Sequence, residues 1–382
     1  MRNEGTTCFL IKNMLCLLVM HSAVLQAQVT IEVEVLGAVA SNEAVYISGN
    51  FEGWTGGQEA YRLHKKNNAY WITLAPIQER IEFKFTKGSW DRVETSSAAG
   101  MLANRTYQFG KVPDSIKLTV AQWASNADLK SSATSNVHLV DTAFTMPQLG
   151  ATRRIWIYLP KGYVHSSRRY PVLYMHDGQN LFDQLHAFSG EWNVDESLNQ
   201  LGENDQLKLI VVGIENGGET RIDEYSPWVN QTYGGGKGAA YLSFIVECLK
   251  PYIDAHYKTL SEAKYTGIMG SSMGGLISYY AAMQYPSVFG RVGVFSPSLW
   301  FSDKVYELPT NKPPHAAQKI YFLAGEKEGE TMVPNLQRVL ASLETNGYNE
   351  SHYTTKIVSD GMHNETFWST EFKEAVVWLF TN

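Results

Sequence analysis

The chain has 382 residues, 44% hydrophobic and 18% charged, which gives it apolar material for roughly two to three domains. Lys and Arg number 32 against 38 Asp and Glu, a formal charge of -6 with no basic block, so nucleic-acid binding finds no support. The three cysteines, Cys8, Cys16 and Cys248, offer no pair that could hold a metal once the N-terminus is removed, and no metal or organic cofactor is expected.

Residues 1–27 read as a secretory signal. Arg2 and Lys12 precede the apolar run from Met14 to Met20, and Leu25-Gln26-Ala27 offers small residues for cleavage. The run is too short to span a bilayer, and Asn13-Met14-Leu15 before Cys16 does not form a lipobox. The expected location is secreted or periplasmic, with no transmembrane segment in the mature chain. Cleavage after Ala27 leaves Cys248 alone, on an apolar helix face where a buried inert thiol is expected.

Residues 28–120 carry short alternating runs, "VTIEVEV", "AVYISGNF", "AYWITL", "RIEFKFT", "RTYQF" and "IKLTV", separated by Gly, Asn and polar turns. Alternation over such lengths predicts a small all-β sandwich. A small, polar stretch follows, and residues 121–136 read as a linker. Residues 137–382 change texture. Apolar strands such as "PVLYMHD", "LKLIVVGI", "YTGIMG", "RVGVFS" and "KIYFLAG" alternate with helical stretches such as "AAYLSFIVECLKPYIDAHY". That pattern predicts an α/β domain, a mostly parallel sheet covered by helices on both faces.

The chemistry centres on Gly270-Ser271-Ser272-Met273-Gly274, placed between a strand and a helix. A Gly-x-Ser-x-Gly turn of this kind holds the middle serine on a strained backbone above the sheet, so Ser272 is the expected nucleophile. The helix N-terminus that follows favours developing negative charge. In this arrangement the acid and then the histidine come later in the chain. Only His315, His352 and His363 lie beyond Ser272; His363 falls in a polar loop after the last strand, on the sheet edge that carries the serine. The acid belongs in the loop after "KIYFLAG", where Glu326, Glu328 and Glu330 compete, with Asp360 as a further alternative.

With those residues assembled, "YPVLYMHDGQNLFD", "GSSMGG", "FSPSLW" and "DGMHNETFW" together resemble the signatures of the esterase D-like family of α/β-hydrolases. That family includes feruloyl, acetyl xylan and enterochelin-type esterases. The resemblance covers residues 137–382 and implies the α/β-hydrolase fold. It places the acid at Glu328 and the oxyanion hole at the N–H of Met273, together with that of Gly178 or Gln179. "GIENGGETRIDEYSPW" is similar to the family's pocket-lining segment: Arg221, Glu224 and Tyr225 either position substrate or lock the loop through an ion pair, and Trp300 is a candidate pocket wall.

"VYISGNFEGW", "IEFKFTKGSW" and "NRTYQF" resemble the immunoglobulin-like starch- and glycogen-binding modules found beside amylases and some esterases. The resemblance implies that Trp54 and Trp90 stack on sugar faces while Lys84 and Asn104 bond hydroxyls. The expected activity is that of a serine esterase acting on acetyl or feruloyl groups of a polysaccharide, with a possible glycan at the module. The rivals are a siderophore esterase, an acyltransferase, and a glycan-binding protein with an inert hydrolase domain.

Overall fold

The computed structural model describes residues 28–36, 43–67, 69–76, 80–95, 102, 104–124, 131–187, 190–310, 312–316 and 318–381. The expected signal, residues 1–27, lies outside the described residues. Among those described, no helix is long and apolar enough to cross a membrane.

The N-terminal region is all β. Strands β1 (Val29–Val35), β2 (Tyr46–Gly49), β3 (His64–Lys66), β4 (Ala69–Leu74), β5 (Arg80–Thr86), β6 (Arg105–Gln108) and β7 (Asp114–Val120) form two sheets, in the orders β3-β4-β1-β7 and β2-β5-β6. Each alternating run identified in the sequence became a strand because period-2 patterning delivers one face inward. Val29, Ile31 and Val33 of β1 share one apolar cluster with Ile47, Ile81, Phe83 and Phe85 of the other sheet, so the two sheets face each other. Gln122–Trp123 pair with Glu94–Thr95, so β structure continues into the stretch expected to be linker.

Residues from Val137 onward build an eight-stranded sheet. Its strands are β8 (Val137–Met146), β9 (Ala151–Tyr158), β10 (Val172–His176), β11 (Ile210–Ile214), β12 (Thr266–Ser271), β13 (Arg291–Phe295), β14 (Lys319–Gly325) and β15 (Tyr353–Val358). The order is β8-β9-β11-β10-β12-β13-β14-β15. The first two pairings are antiparallel and the rest parallel. The order reverses between β11 and β12, with β10 at the switch point where open α/β sheets open a crevice at their carboxyl edge. Helices α1 (Val194–Glu203), α2 (Met273–Gln284), α3 (Met332–Thr345) and α4 (Glu365–Thr381) join a helical run from Gly238 to His256 in covering the sheet. Two apolar clusters result, one on each face. β10, β11 and β12 are buried throughout, which is why their sequence is continuously apolar rather than alternating. Cys248 departs from expectation: it is half-buried at the edge of the core, beside the Gln148 amide at 3.4 Å.

Candidate active site

The strand β12 ends at Ser271, which is buried, and the chain turns at Ser272, which is half-exposed. Ser272 has φ 57° and ψ -120°, a backbone region that non-glycine residues occupy only when the surroundings enforce it. Those surroundings are close. A Cβ on Gly270 would lie 2.9 Å from His176 Cδ2, and one on Gly275 would lie 2.6 Å from the Phe295 carbonyl oxygen. Gly274 is less constrained, with its nearest neighbour at 3.4 Å. Backbone bonds fix the bend: Ser272 N–H donates to Phe295 O at 2.9 Å, and Ser298 N–H donates to Ser272 O at 3.0 Å. The Ser272 hydroxyl lies 3.2 Å from that of Ser298. Of the two adjacent serines, only Ser272 stands at the tip.

The loops after β14 and β15 bring two further groups to the same edge. His363 Nδ1 lies 2.7 Å from Glu328 Oε2. Glu328 is held from its other oxygen by Gly325 N–H at 2.6 Å and the Ser296 hydroxyl at 2.8 Å, and its side chain is fully enclosed. Trp368 Nε1 donates to Ser296 Oγ at 2.8 Å, while its indole meets the His363 ring edge to face at 5.1 Å. With Nδ1 engaged, Nε2 of His363 is the nitrogen left for proton transfer. Burial opposes the charged ring, but the bond to Glu328 and the charges of Glu328, Glu82 and Glu365 outweigh it, so its pKa stands above the usual value. The competing acids lie elsewhere: Glu326 and Glu330 are exposed, and Asp360 pairs with Lys327 at 2.7 Å on the surface. His315 is exposed, and His352 bonds locally with Asn349 at the start of β15.

Met273 opens α2, so its N–H has no partner within the helix. Gly178 and Gln179 open the 3₁₀ turn after β10, in a loop that packs on the start of α2. A Cβ on Gly178 would lie 2.7 Å from the Gly213 backbone, which forces glycine there. The preceding Asp177 is held at φ 55° by a two-pronged bond from Arg221, at 2.7 and 2.8 Å, and by Asn216 Nδ2 at 2.7 Å. The Asp177 N–H donates to the Tyr225 hydroxyl at 3.1 Å. Glu224 takes both of its oxygens to Arg153 Nη2 at 2.7 Å. Glu224 and Tyr225 are 3% and 0% exposed and bond inside the protein, as the loop-locking alternative expects. Arg221 acts on the same loop through Asp177. Trp300, by contrast, is 52% exposed and meets Tyr233 edge to face at 5.3 Å.

The N-terminal residues divide. Trp54 and Trp90 are half-exposed with ring centroids 5.8 Å apart, and Trp90 Nε1 donates to Trp54 O at 2.7 Å. Asn104 is half-buried. Lys84 is not available to a surface sugar. It is 1% exposed, its Nζ has no hydrogen-bond partner, and its charge faces those of Glu365 and Glu94. Burial lowers its pKa. Lys84 belongs instead to a contact between the two regions. Alternate residues of β5 point toward the catalytic loops: Arg80 Nη1 donates to Lys327 O at 3.3 Å, Glu82 is felt by His363, and Lys84 by Glu365. Glu365 itself is 8% exposed and pushed up to about 7, mainly by burial. Sequence reasoning missed Glu82, Glu365, Ser296, Ser298 and Trp368. The last four lie inside the quoted motifs "FSPSLW" and "DGMHNETFW"; Glu82 lies in the run "RIEFKFT", which signals a strand and no site.

A serine on a strained strand-to-helix turn, with a histidine bonded to an enclosed carboxylate in loops at the same edge of a mixed α/β sheet, fits the α/β-hydrolase class. Residues 147–379 match the family model described as "Putative esterase". The chain belongs to that family and is a carboxylic ester hydrolase. It is 29% identical over 242 residues to the Bacillus subtilis protein YbbA, covering 60% of this chain and 92% of that one. A 97-residue stretch is 36% identical to an alpha-amylase of Niallia circulans, covering 25% of this chain and 8% of the amylase. Among solved structures, a ferulic acid esterase has a TM-score of 0.51 at 16% identity, over 64% of this chain and 99% of its own. An enterobactin esterase from Shigella flexneri has a TM-score of 0.54 at 16% identity, over 88% of both chains. At such identities the two structures speak for the fold.

Proposed function

We propose that the chain is a secreted serine esterase that removes acetyl or feruloyl groups from a polysaccharide. Ser272 attacks the ester carbonyl, and His363 Nε2 takes its proton and returns it to the leaving alcohol. Glu328 holds the ring in the required tautomer and stabilises the imidazolium. The N–H groups of Met273 and of Gly178 or Gln179 bond the tetrahedral oxyanion, which then collapses to an acyl-enzyme that water cleaves. The observation that carries this reading is the 2.7 Å His363–Glu328 bond on the same sheet edge as a serine held at φ 57°. The paired tryptophans of the N-terminal region, read as an immunoglobulin-like glycan-binding sandwich over residues 28–120, and the amylase-like stretch support a carbohydrate context.

A second reading, a siderophore ester hydrolase, is favoured by one observation. The fold shared with the enterobactin esterase runs over 88% of the chain, beyond the family region and into the N-terminal strands. A panel of acetylated xylan, feruloylated arabinose and catecholate-serine esters separates the two. Preference for the catecholate ester would overturn the polysaccharide assignment while keeping the mechanism. A Ser272→Ala variant with undiminished turnover would overturn both.

A further inference from the structure

A groove of about 420 Å³ between α1 and α4, lined by Gln200, Leu201, Lys373 and Trp378, has none of the site residues in its walls. The more informative feature lies at the start of α1. Glu191, Asp195 and Glu196 each offer one carboxylate oxygen, and the three atoms lie within 4.8 Å of one another. All three bear a buried oxygen, Oε1 of Glu191, Oδ1 of Asp195 and Oε2 of Glu196, that has no hydrogen-bond partner. Asp195 is 0% exposed, so its unpartnered oxygen is shut off from solvent. Among the described residues, no Lys, Arg or His comes within 4.0 Å of any of the three carboxylates. Buried carboxylates without a counter-charge are costly, and each unpaired oxygen adds to the cost.

The other oxygens of Asp195 and Glu191 are already committed. Asp195 Oδ2 accepts from Thr134 N–H at 2.8 Å and Thr134 Oγ1 at 2.7 Å, and Glu191 Oε2 accepts from Ser132 Oγ at 2.8 Å. Ser132 Oγ in turn accepts from Gln184 N–H at 2.8 Å. Asp195 and Glu191 are thus held by the segment that enters the α/β region, and each of the three carboxylates keeps one unpartnered oxygen. Oxygen donors with no nitrogen or sulfur suit a hard divalent cation, and two oxygens on one calcium ion at about 2.4 Å lie at most about 4.8 Å apart.

We propose that Glu191, Asp195 and Glu196 bind a calcium ion that fastens residues 131–136 to the loop leading into α1. Water completes the coordination shell. Trp192, between two of the ligands, stacks on Phe295 at 5.5 Å and meets Trp368 at 5.8 Å, so the ion braces the packing beneath the Glu328 network without touching it. The rival account is a proton shared between Asp195 and Glu196.

The test uses the full mature chain, stripped with EDTA and titrated with CaCl2 by calorimetry at pH 7.5, with thermal unfolding followed in parallel. The expected results are one site per chain and a rise in thermal midpoint on the order of 4 °C at saturating calcium, with little response to MgCl2. Asp195→Asn should abolish the calcium response, and Glu196→Gln should weaken binding at least tenfold. Absence of calcium heat and of any midpoint shift in the wild type, with Glu196→Gln as stable as the wild type, would establish the shared proton instead. An equal shift from magnesium, or a calcium shift that survives in Asp195→Asn, would also overturn the assignment. Should Asp195→Asn fail to fold, the wild-type titration and Glu196→Gln decide alone.

Discussion

Each of the two regions places a non-glycine residue at positive φ where function was expected: Trp54 at 61° and Ser272 at 57°. The supports differ. Ser272 is gripped by backbone bonds from β13 and by glycines that admit neighbours within 3 Å of a would-be Cβ. Trp54 sits on a surface loop organised by Glu52, which accepts from Gly49 N–H at 3.0 Å and Thr55 N–H at 3.1 Å, and by the bond from Trp90. Proton-transfer chemistry needs enclosed, prepaired groups, because a carboxylate orients a histidine best when water is kept away. Ring stacking needs only a rigid, uncovered face. The comparison separates two kinds of site by their burial.

The sharpest way to break the comparison is Ser272→Ala, which should lower kcat on p-nitrophenyl acetate by about 10⁴-fold or more without changing the far-ultraviolet spectrum. Glu328→Gln should cost on the order of 10² to 10⁴ in kcat, because the wrong histidine tautomer is favoured. It should also move the acid limb of the pH–rate profile. In the wild type that limb lies above the ordinary histidine value, since the neutral ring forms only as pH rises through a raised pKa. Loss of the Glu328 charge moves it down, and a limb that stays in place would remove Glu328 from the reaction. Trp54→Ala and Trp90→Ala should each weaken retention on starch or xylan about tenfold and leave p-nitrophenyl acetate turnover within twofold. If retention is unchanged, the tryptophan pair is packing alone.

The smallest effect is expected at the boundary. Lys84→Met removes an ammonium that is buried without a hydrogen bond, so the thermal midpoint should equal or exceed that of the wild type. A fall of more than about 3 °C would show that its attraction to Glu365 holds the regions together.

Much of this is legible in the sequence. The runs "AYWITL", "RIEFKFT" and "KIYFLAG" became strands with the same bounds, because alternation or continuous apolarity states which faces are covered. The strand β8 was not anticipated: "VHLVDTAFTM" is mostly exposed at the sheet edge and broken by register shifts, so it carries no regular period. Among site residues, Ser272 and His363 follow from turn chemistry and chain order. Glu328 could be told from Glu326 by resemblance but not by spacing, because two glutamates two apart in one loop look alike until one is seen turned inward. Lys84 sits in a strand whose inward and outward faces are plain from the sequence, yet nothing in it says what the outward face meets.

The sequence by itself determined the two textures, the strand-to-helix bend at Ser272 and the chain order of the groups that follow, because each is written in neighbouring residues. The tertiary structure alone decided that Glu224 and Tyr225 brace a loop, and that β5 turns Arg80, Glu82 and Lys84 toward the catalytic loops. Those outcomes depend on pairings between segments far apart in the chain, where burial and charge are settled only when both partners are in place.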